Sequence, residues 1–260
     1  MRFLITLILI LSTTLVVFAQ VDLDIGKKIQ KYKEDIEKLK KELENSDPIV
    51  RADAALALGV IKNPEVIPFV RKLLKDVDEN VRSSTINSLC ILQDKGSRNE
   101  IIKLGLYDKF GIVRASAASG LGTLQDKIAI PALKTIAKHD KESMVRITAA
   151  ISLKSFGEDW AISIIRETIK DRNLDVRIYA AAMLSSLGDL SCVPIVRQGL
   201  SSKDKTIRGA CVNVLGQVGG EDAILDLKYI SKNDEEEIIR DTARNSIRAI
   251  EARMKKKTKE

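Results

Sequence analysis

Residues 47–59 read DPIVRADAALALG, an aliphatic–arginine pair followed by alanines and a leucine. The phrase returns as KFGIVRASAASGLG over 109–122 and as NLDVRIYAAAMLSSLG over 173–188. The pair itself occurs at Val50–Arg51, Val81–Arg82, Val113–Arg114, Val145–Arg146, Val176–Arg177, Ile207–Arg208 and Ile239–Arg240. The arginines step by 31, 32, 32, 31, 31 and 32 residues, a register that chance does not hold.

Other positions follow the same ruler. Three and four residues after Arg stand Ala54–Ala55, Ala117–Ala118, Ala149–Ala150 and Ala180–Ala181, with looser versions such as Thr85–Ile86 and Cys211–Val212. Seven after Arg comes Leu58, Leu89, Leu121, Leu153, Leu184, Leu215 or Ile247. Counting Arg as 0, positions 0, +3, +4, +7 and +11 fall on one side of a helix. Each unit therefore holds a helix B that begins near the Val–Arg. Gly or Asp punctuation and a second apolar-periodic helix A, such as PEVIPFVRKLLK, follow. Two short helices cannot bury their apolar faces alone, so the units must stack.

Asp47, Asp78, Asp108, Asp140, Asp171, Asp204 and Asp234 lie four or six residues before the arginines. They are expected to cap helix B and to pair with the repeat arginines, across units as well. Arg51, Arg82, Arg114, Arg146, Arg177, Arg208 and Arg240 thus form a structural ladder. Copies spread evenly along a stack do not converge on one reaction centre.

The pattern D…VRxxAAxxLGxL…AIPxLxxxL resembles HEAT repeats of the short type seen in phycobilin lyases, over about Asp47 to Ile250. The resemblance implies an all-α, right-handed α-α superhelix of about six to seven helical pairs. The expected organisation is a signal peptide at 1–19, an N-terminal capping helix at 20–46, the repeat solenoid at 47–252 and a basic tail at 253–260.

MRFLITLILILSTTLVVFAQ carries Arg2, an apolar run and the small residues Val17 and Ala19, which reads as a secretory signal cut after Ala19. The chain is therefore expected to be exported, periplasmic or secreted; the alternative is an uncleaved anchor. Ile25, Ile29, Tyr32, Ile36, Leu39 and Leu43 are spaced 4, 3, 4, 3 and 4, a heptad seam. It serves either to cover the first B helix, the favoured reading, or to pair two copies through Ile25–Leu43.

The net charge is +7, and much of it sits in RMKKKTKE at 253–260. That tail fits a helix C-terminus or contact with a membrane surface. Cys90, Cys192 and Cys211 read as buried thiols. His139 is the only histidine, so neither a zinc site nor a histidine-based triad can be assembled. Deoxyhypusine hydroxylase is HEAT-like too, but that family binds iron through several His–Glu pairs, absent here. Gly120 and Gly122 lie inside a repeat helix and form no nucleotide loop. Trp160 occupies a helix A position and reads as packing. No catalytic residue, metal or cofactor is expected.

Positions +2, +5 and +9 point away from the apolar stripe, and in HEAT-like solenoids this side lines the concave surface. Of these 21 residues, Asp53 alone is charged. Phosphate binding needs several Lys or Arg, so nucleic acid is excluded as the partner. The remaining hydroxyls, amides and apolar points suit a protein or peptide of the cell envelope. The expected centre is Tyr179 with Ile151, flanked by Thr148, Ser119, Ser116 and Asn213, with Asn87 further along. The alternative is a lyase-like or chromophore-handling enzyme.

Overall fold

The structure, a computed structural model, describes residues 30–257, for the last of these the backbone alone. The expected signal segment at 1–19, the seam residues Ile25 and Ile29 and the tail residues 258–260 lie outside the described residues. The chain divides at Leu92/Gln93 into two compact units.

In the first unit, helix α1 (residues 30–42) precedes α2 (Pro48–Ile61). A 3-10 turn (Pro64–Val66), α3 (Ile67–Arg71) and a second 3-10 turn (Lys72–Lys75) lead to α4 (Glu79–Ile91). Helices α2 and α4 are the first two B helices and pack side by side. Ala54, Ala55 and Leu58 of α2 and Val81, Ile86 and Leu89 of α4 are buried. Thr85 takes an alanine position and stays tolerable because its hydroxyl donates to the Val81 carbonyl at 2.7 Å. Ile36 and Leu43 of the seam are buried within this unit and Tyr32 is exposed. Lys40 of α1 lies over the Phe69 ring of α3, 4.5 Å from its centroid. Helix α1 thus lies against α3 within this unit.

The second unit repeats the pair five times. Its A helices are α5 (Arg98–Glu100), α7 (Ile130–His139), α9 (Ile162–Thr168), α11 (Val193–Gly199) and α13 (Glu221–Asn233). Its B helices are α6 (Gly111–Thr123), α8 (Ser143–Ser155), α10 (Leu174–Ser186), α12 (Lys205–Val218) and α14 (Glu237–Lys257). Each B helix packs on the next. Ala117, Ala118, Ala149, Ala150, Ala180 and Ala181 are fully buried, so small side chains let the helices approach. Leu121, Leu153, Leu184 and Leu215 are buried as well, each stabilising by roughly 1.5–3 kcal/mol. The described residues contain helices and turns and no strand.

Proline enters early in the A helices, at Pro68, Pro131 and Pro194, where its missing N–H costs nothing. An Asn or Asp just ahead caps the preceding 3-10 turn: Asn63, Asp94, Asp126 and Asp189 each accept from the amide two residues on.

Position +11 departs from the expected helical stripe. Lys62, Gln93, Gln125, Gly157 and Gly188 stand there with φ of 57, 54, 50, 86 and 74°, outside helix B in the left-handed region. The chain must reverse in two residues to launch helix A, and a left-handed residue does this. Lys62 is exposed, so Lys62→Gly removes the Cβ strain at no packing cost. It is expected to stabilise the first unit by about 0.5–1 kcal/mol in urea unfolding.

Candidate binding face and the arginine ladder

All seven repeat arginines do the same local work. Each Nη1 donates to the carbonyls six and five residues upstream, from Arg51 onto Asn45 and Ser46 to Arg240 onto Asp234 and Glu235. Those carbonyls belong to the linker entering helix B and have no helical partner. The guanidinium reaches both from the one Nη1 nitrogen and keeps its Nε and Nη2 edge for other partners, which a lysine cannot do.

The other edge of the guanidinium joins repeats. Arg51 grips Asp76 with Nε and Nη2 at 2.8 Å each. Arg114 grips Asp140 at 2.6 and 2.9 Å, and Arg208 grips Asp234 at 2.7 and 3.0 Å. Each of these carboxylates also accepts the backbone N–H two residues on, from Asp78, Glu142 and Glu236. Burial pushes the Asp76 and Asp140 carboxyls up. The hydrogen bonds from Arg51 and Arg114, the backbone amides and the nearby arginine charges outweigh it and hold both below the usual carboxylate range. For Asp234 the Arg208 hydrogen bond is the leading cause of the same lowering.

The acids thus split into two kinds. Asp47, Asp78 and Asp204, four before Arg, cap helix B. Asp140 and Asp234, six before, take the arginine of the previous repeat. In the second repeat the rung acid is Asp76, which the sequence reading passed over for Asp78. Its signal was the same offset of six.

Nucleophilic and metal chemistry has little to build on among the described residues. No three His, Cys, Asp or Glu side chains gather to hold a metal ion. His139 is exposed at the end of α7. Cys90, Cys192 and Cys211 are buried thiols that form no disulfide among the described residues. Burial pushes the Cys211 thiol up to about 12 and raises Cys192, so both stay protonated at neutral pH. Among the described residues no helix is long and apolar enough to cross a membrane.

The 21 residues at +2, +5 and +9 include no buried side chain. Ser116 and Ser119 lie on α6, Thr148 and Ile151 on α8, Tyr179 on α10 and Asn213 on α12, all in the second unit. Asn87 lies on α4 of the first. Tyr179, Ile151, Thr148 and Ser116 are half-buried, and Ser119 and Asn213 are exposed. The Thr148 hydroxyl donates to the Met144 carbonyl at 2.9 Å, so it offers a partner an acceptor rather than a donor.

A profile of HEAT repeats matches residues 36–104, 99–176 and 162–248. The chain is a HEAT-repeat protein. No curated protein matches it in sequence. Among solved structures it resembles the CpcE–CpcF complex of phycocyanin lyase from Nostoc sp. PCC7120, with 21% identity and a TM-score of 0.55. That match covers 82% of this chain and 86% of the other. An archaeal HEAT-like repeats protein from Thermococcus onnurineus is 14% identical with a TM-score of 0.45, covering 84% and 97%. Human deoxyhypusine hydroxylase is 16% identical with a TM-score of 0.39, covering 84% of each chain.

Two further expectations are adjusted in this HEAT-repeat protein. Trp160 sits in the 3-10 turn Asp159–Ala161, 37% exposed. Its Nε1 donates to Glu158 at 2.6 Å, and Lys138 lies 5.0 Å from the ring centroid. It packs beneath lysine stems at the surface rather than in the core. The basic segment from Arg253 is helical through Lys257. Arg253 donates to the Gly216 and Gly219 carbonyls at 2.5 and 2.9 Å, closing the end of α12, and is spent on structure.

Proposed function

We propose that this HEAT-repeat protein is an exported, non-catalytic scaffold. It binds a protein or peptide of the cell envelope on the exposed face of its B helices, centred on Tyr179 and Ile151. The observation that carries the reading is the character of that face. Within the second unit it is solvent-accessible and bears hydroxyls, amides and short apolar side chains, with no charged residue at these positions. Tyr179 supplies an amphipathic ring with few rotatable bonds, and Ile151 supplies an aliphatic neighbour class on the preceding B helix. The absence of lysine and arginine from these positions argues against phosphate-rich partners.

The test is Tyr179→Asp combined with Ile151→Asp. Both side chains are half-exposed, so helicity by circular dichroism is expected to be unchanged. Capture of an envelope partner by the immobilised protein is expected to fall at least tenfold, about 1.4 kcal/mol. Undiminished capture would discard this face. The competing reading, a lyase-like chromophore-handling activity, draws on the fold likeness to phycocyanin lyase. A bound tetrapyrrole absorbing in purified protein would favour it.

A further inference from the structure

The repeats of the second unit are not joined equally. Two devices lock B helix to B helix. One is the Arg–Asp rung at the helix starts. The other lies near the helix ends, where a glycine at +8 lies against a serine at +6 of the next repeat. At the α6/α8 junction Arg114 holds Asp140, Gly122 lies against Ser152, and the Ser152 hydroxyl donates to the Ala118 carbonyl at 2.8 Å. At α12/α14 Arg208 holds Asp234, Gly216 lies against Ser246, and Ser246 donates to the Val212 carbonyl at 3.2 Å. The α2/α4 junction of the first unit has both devices too, in Arg51 with Asp76 and Ser88 with the Ala55 carbonyl.

Both devices fail on either side of α10. At α8/α10 the +8 and +6 positions hold Lys154 and Met183. Arg146 reaches Asp171 only through Ser143, whose hydroxyl accepts from Nη2 at 2.7 Å and donates to Asp171 at 2.6 Å. At α10/α12 those positions hold Ser185 and Val214, and the rung position six before Arg208 is Ser202. Arg177 accordingly bonds the Asp171 and Arg172 carbonyls and, among the described residues, no carboxylate. A single Ser185 to Gln217 hydrogen bond of 3.2 Å crosses near the helix ends.

The A helices behave differently. Arg98 pairs with Asp126, Lys134 with Glu158, Arg166 with Asp189, and Arg197 with Asp222 and Asp226. Every junction of the second unit therefore keeps an ion pair in the A layer, including the two that flank α10.

We propose that α10 is a hinge, about which the locked pairs α6–α8 and α12–α14 move as blocks. The A-layer ion pairs act as the axis, and the B layer opens and closes. The inference is independent of which partner the protein binds. Packed elements move as rigid bodies where few interactions cross between them, and the B layer at α10 meets that condition.

The test is the distance distribution between spin labels on the full chain. Ser155→Cys with Asn213→Cys spans α10 from α8 to α12. Ser119→Cys with Ser186→Cys spans α8 from α6 to α10, crossing one locked junction. All four sites are exposed, and the native cysteines are buried, so the parent protein should take up no label. The first distribution is expected to be about twice as broad as the second. Adding Ser202→Asp supplies the missing rung acid for Arg177 and is expected to narrow it, whereas Ser202→Asn is not. Equal widths, or a width indifferent to Ser202→Asp, would overturn the hinge.

Discussion

Arg114→Ala is expected to lower the stability of the second unit by about 3 kcal/mol, the largest loss from any ladder residue. Its side chain is 6% exposed and that of Asp140 is 4% exposed, so the pair is shielded from water. Removing the guanidinium leaves a buried carboxylate without its partner and frees the carbonyls of Asp108 and Lys109. Arg114→Lys should recover little, because an ammonium cannot span carboxylate and carbonyls together. Arg177→Ala is the matched control. It loses two carbonyl contacts and no rung, and should cost about 1 kcal/mol. Urea unfolding followed by circular dichroism distinguishes them, and equal losses would remove the rung from the energetics.

The rung also sets a pH dependence. The Asp76, Asp140 and Asp234 carboxyls are held below their ordinary value in the folded chain. A depressed folded pKa contributes stability that is fully present above the unfolded value and is lost as pH falls through the folded one. Stability should therefore be flat through neutral pH and decline in acid, below the ordinary carboxylate range. Arg114→Ala should flatten that decline.

The second large effect is expected at Gly122. A Cβ there would lie 2.6 Å from Ser152 Oγ and 2.8 Å from its Cβ, so Gly122→Ala must push α6 and α8 apart. The gain in helix propensity, about 1 kcal/mol, is outweighed by overpacking and by loss of the Ser152 hydrogen bond. The expected net loss is about 2 kcal/mol. Ser152→Gly in the same chain should restore most of it, because the nearest remaining atom is the Ser152 Cα at 3.2 Å. Gly59→Ala should not be rescued by Ser88→Gly, since the Ser88 Cα itself lies 2.8 Å away. A double-mutant cycle reads this directly. Additive losses at 122 and 152 would show that the two helices do not depend on that contact.

The repeat ruler made most of the fold legible. Leucine at +7 and alanine at +3 and +4 are buried where the ruler put them, because those offsets return to one side of a helix whatever the neighbours are. The +11 position was misread for a related reason. A periodicity continues past the point where a helix ends, and Lys62, Gln93 and Gln125 carry no glycine signal for the left-handed turn they make. The acids were half legible. A carboxylate four before Arg and one six before Arg look alike in a sequence, yet one caps its own helix and the other reaches the preceding repeat.

The sequence by itself determined that this chain is a stack of helical pairs, because a 31–32-residue period of one-sided helices has no other way to bury its apolar stripes. It also determined the neutral character of the outward B-helix positions, which follows from angle alone. Only the tertiary structure decided which junctions are locked. Gly122 meets Ser152, and Arg114 meets Asp140, across about one repeat of chain, and such pairs acquire meaning when two helices are set side by side. Close packing and bidentate hydrogen bonds depend on tenths of an ångström, and no spacing rule carries that information.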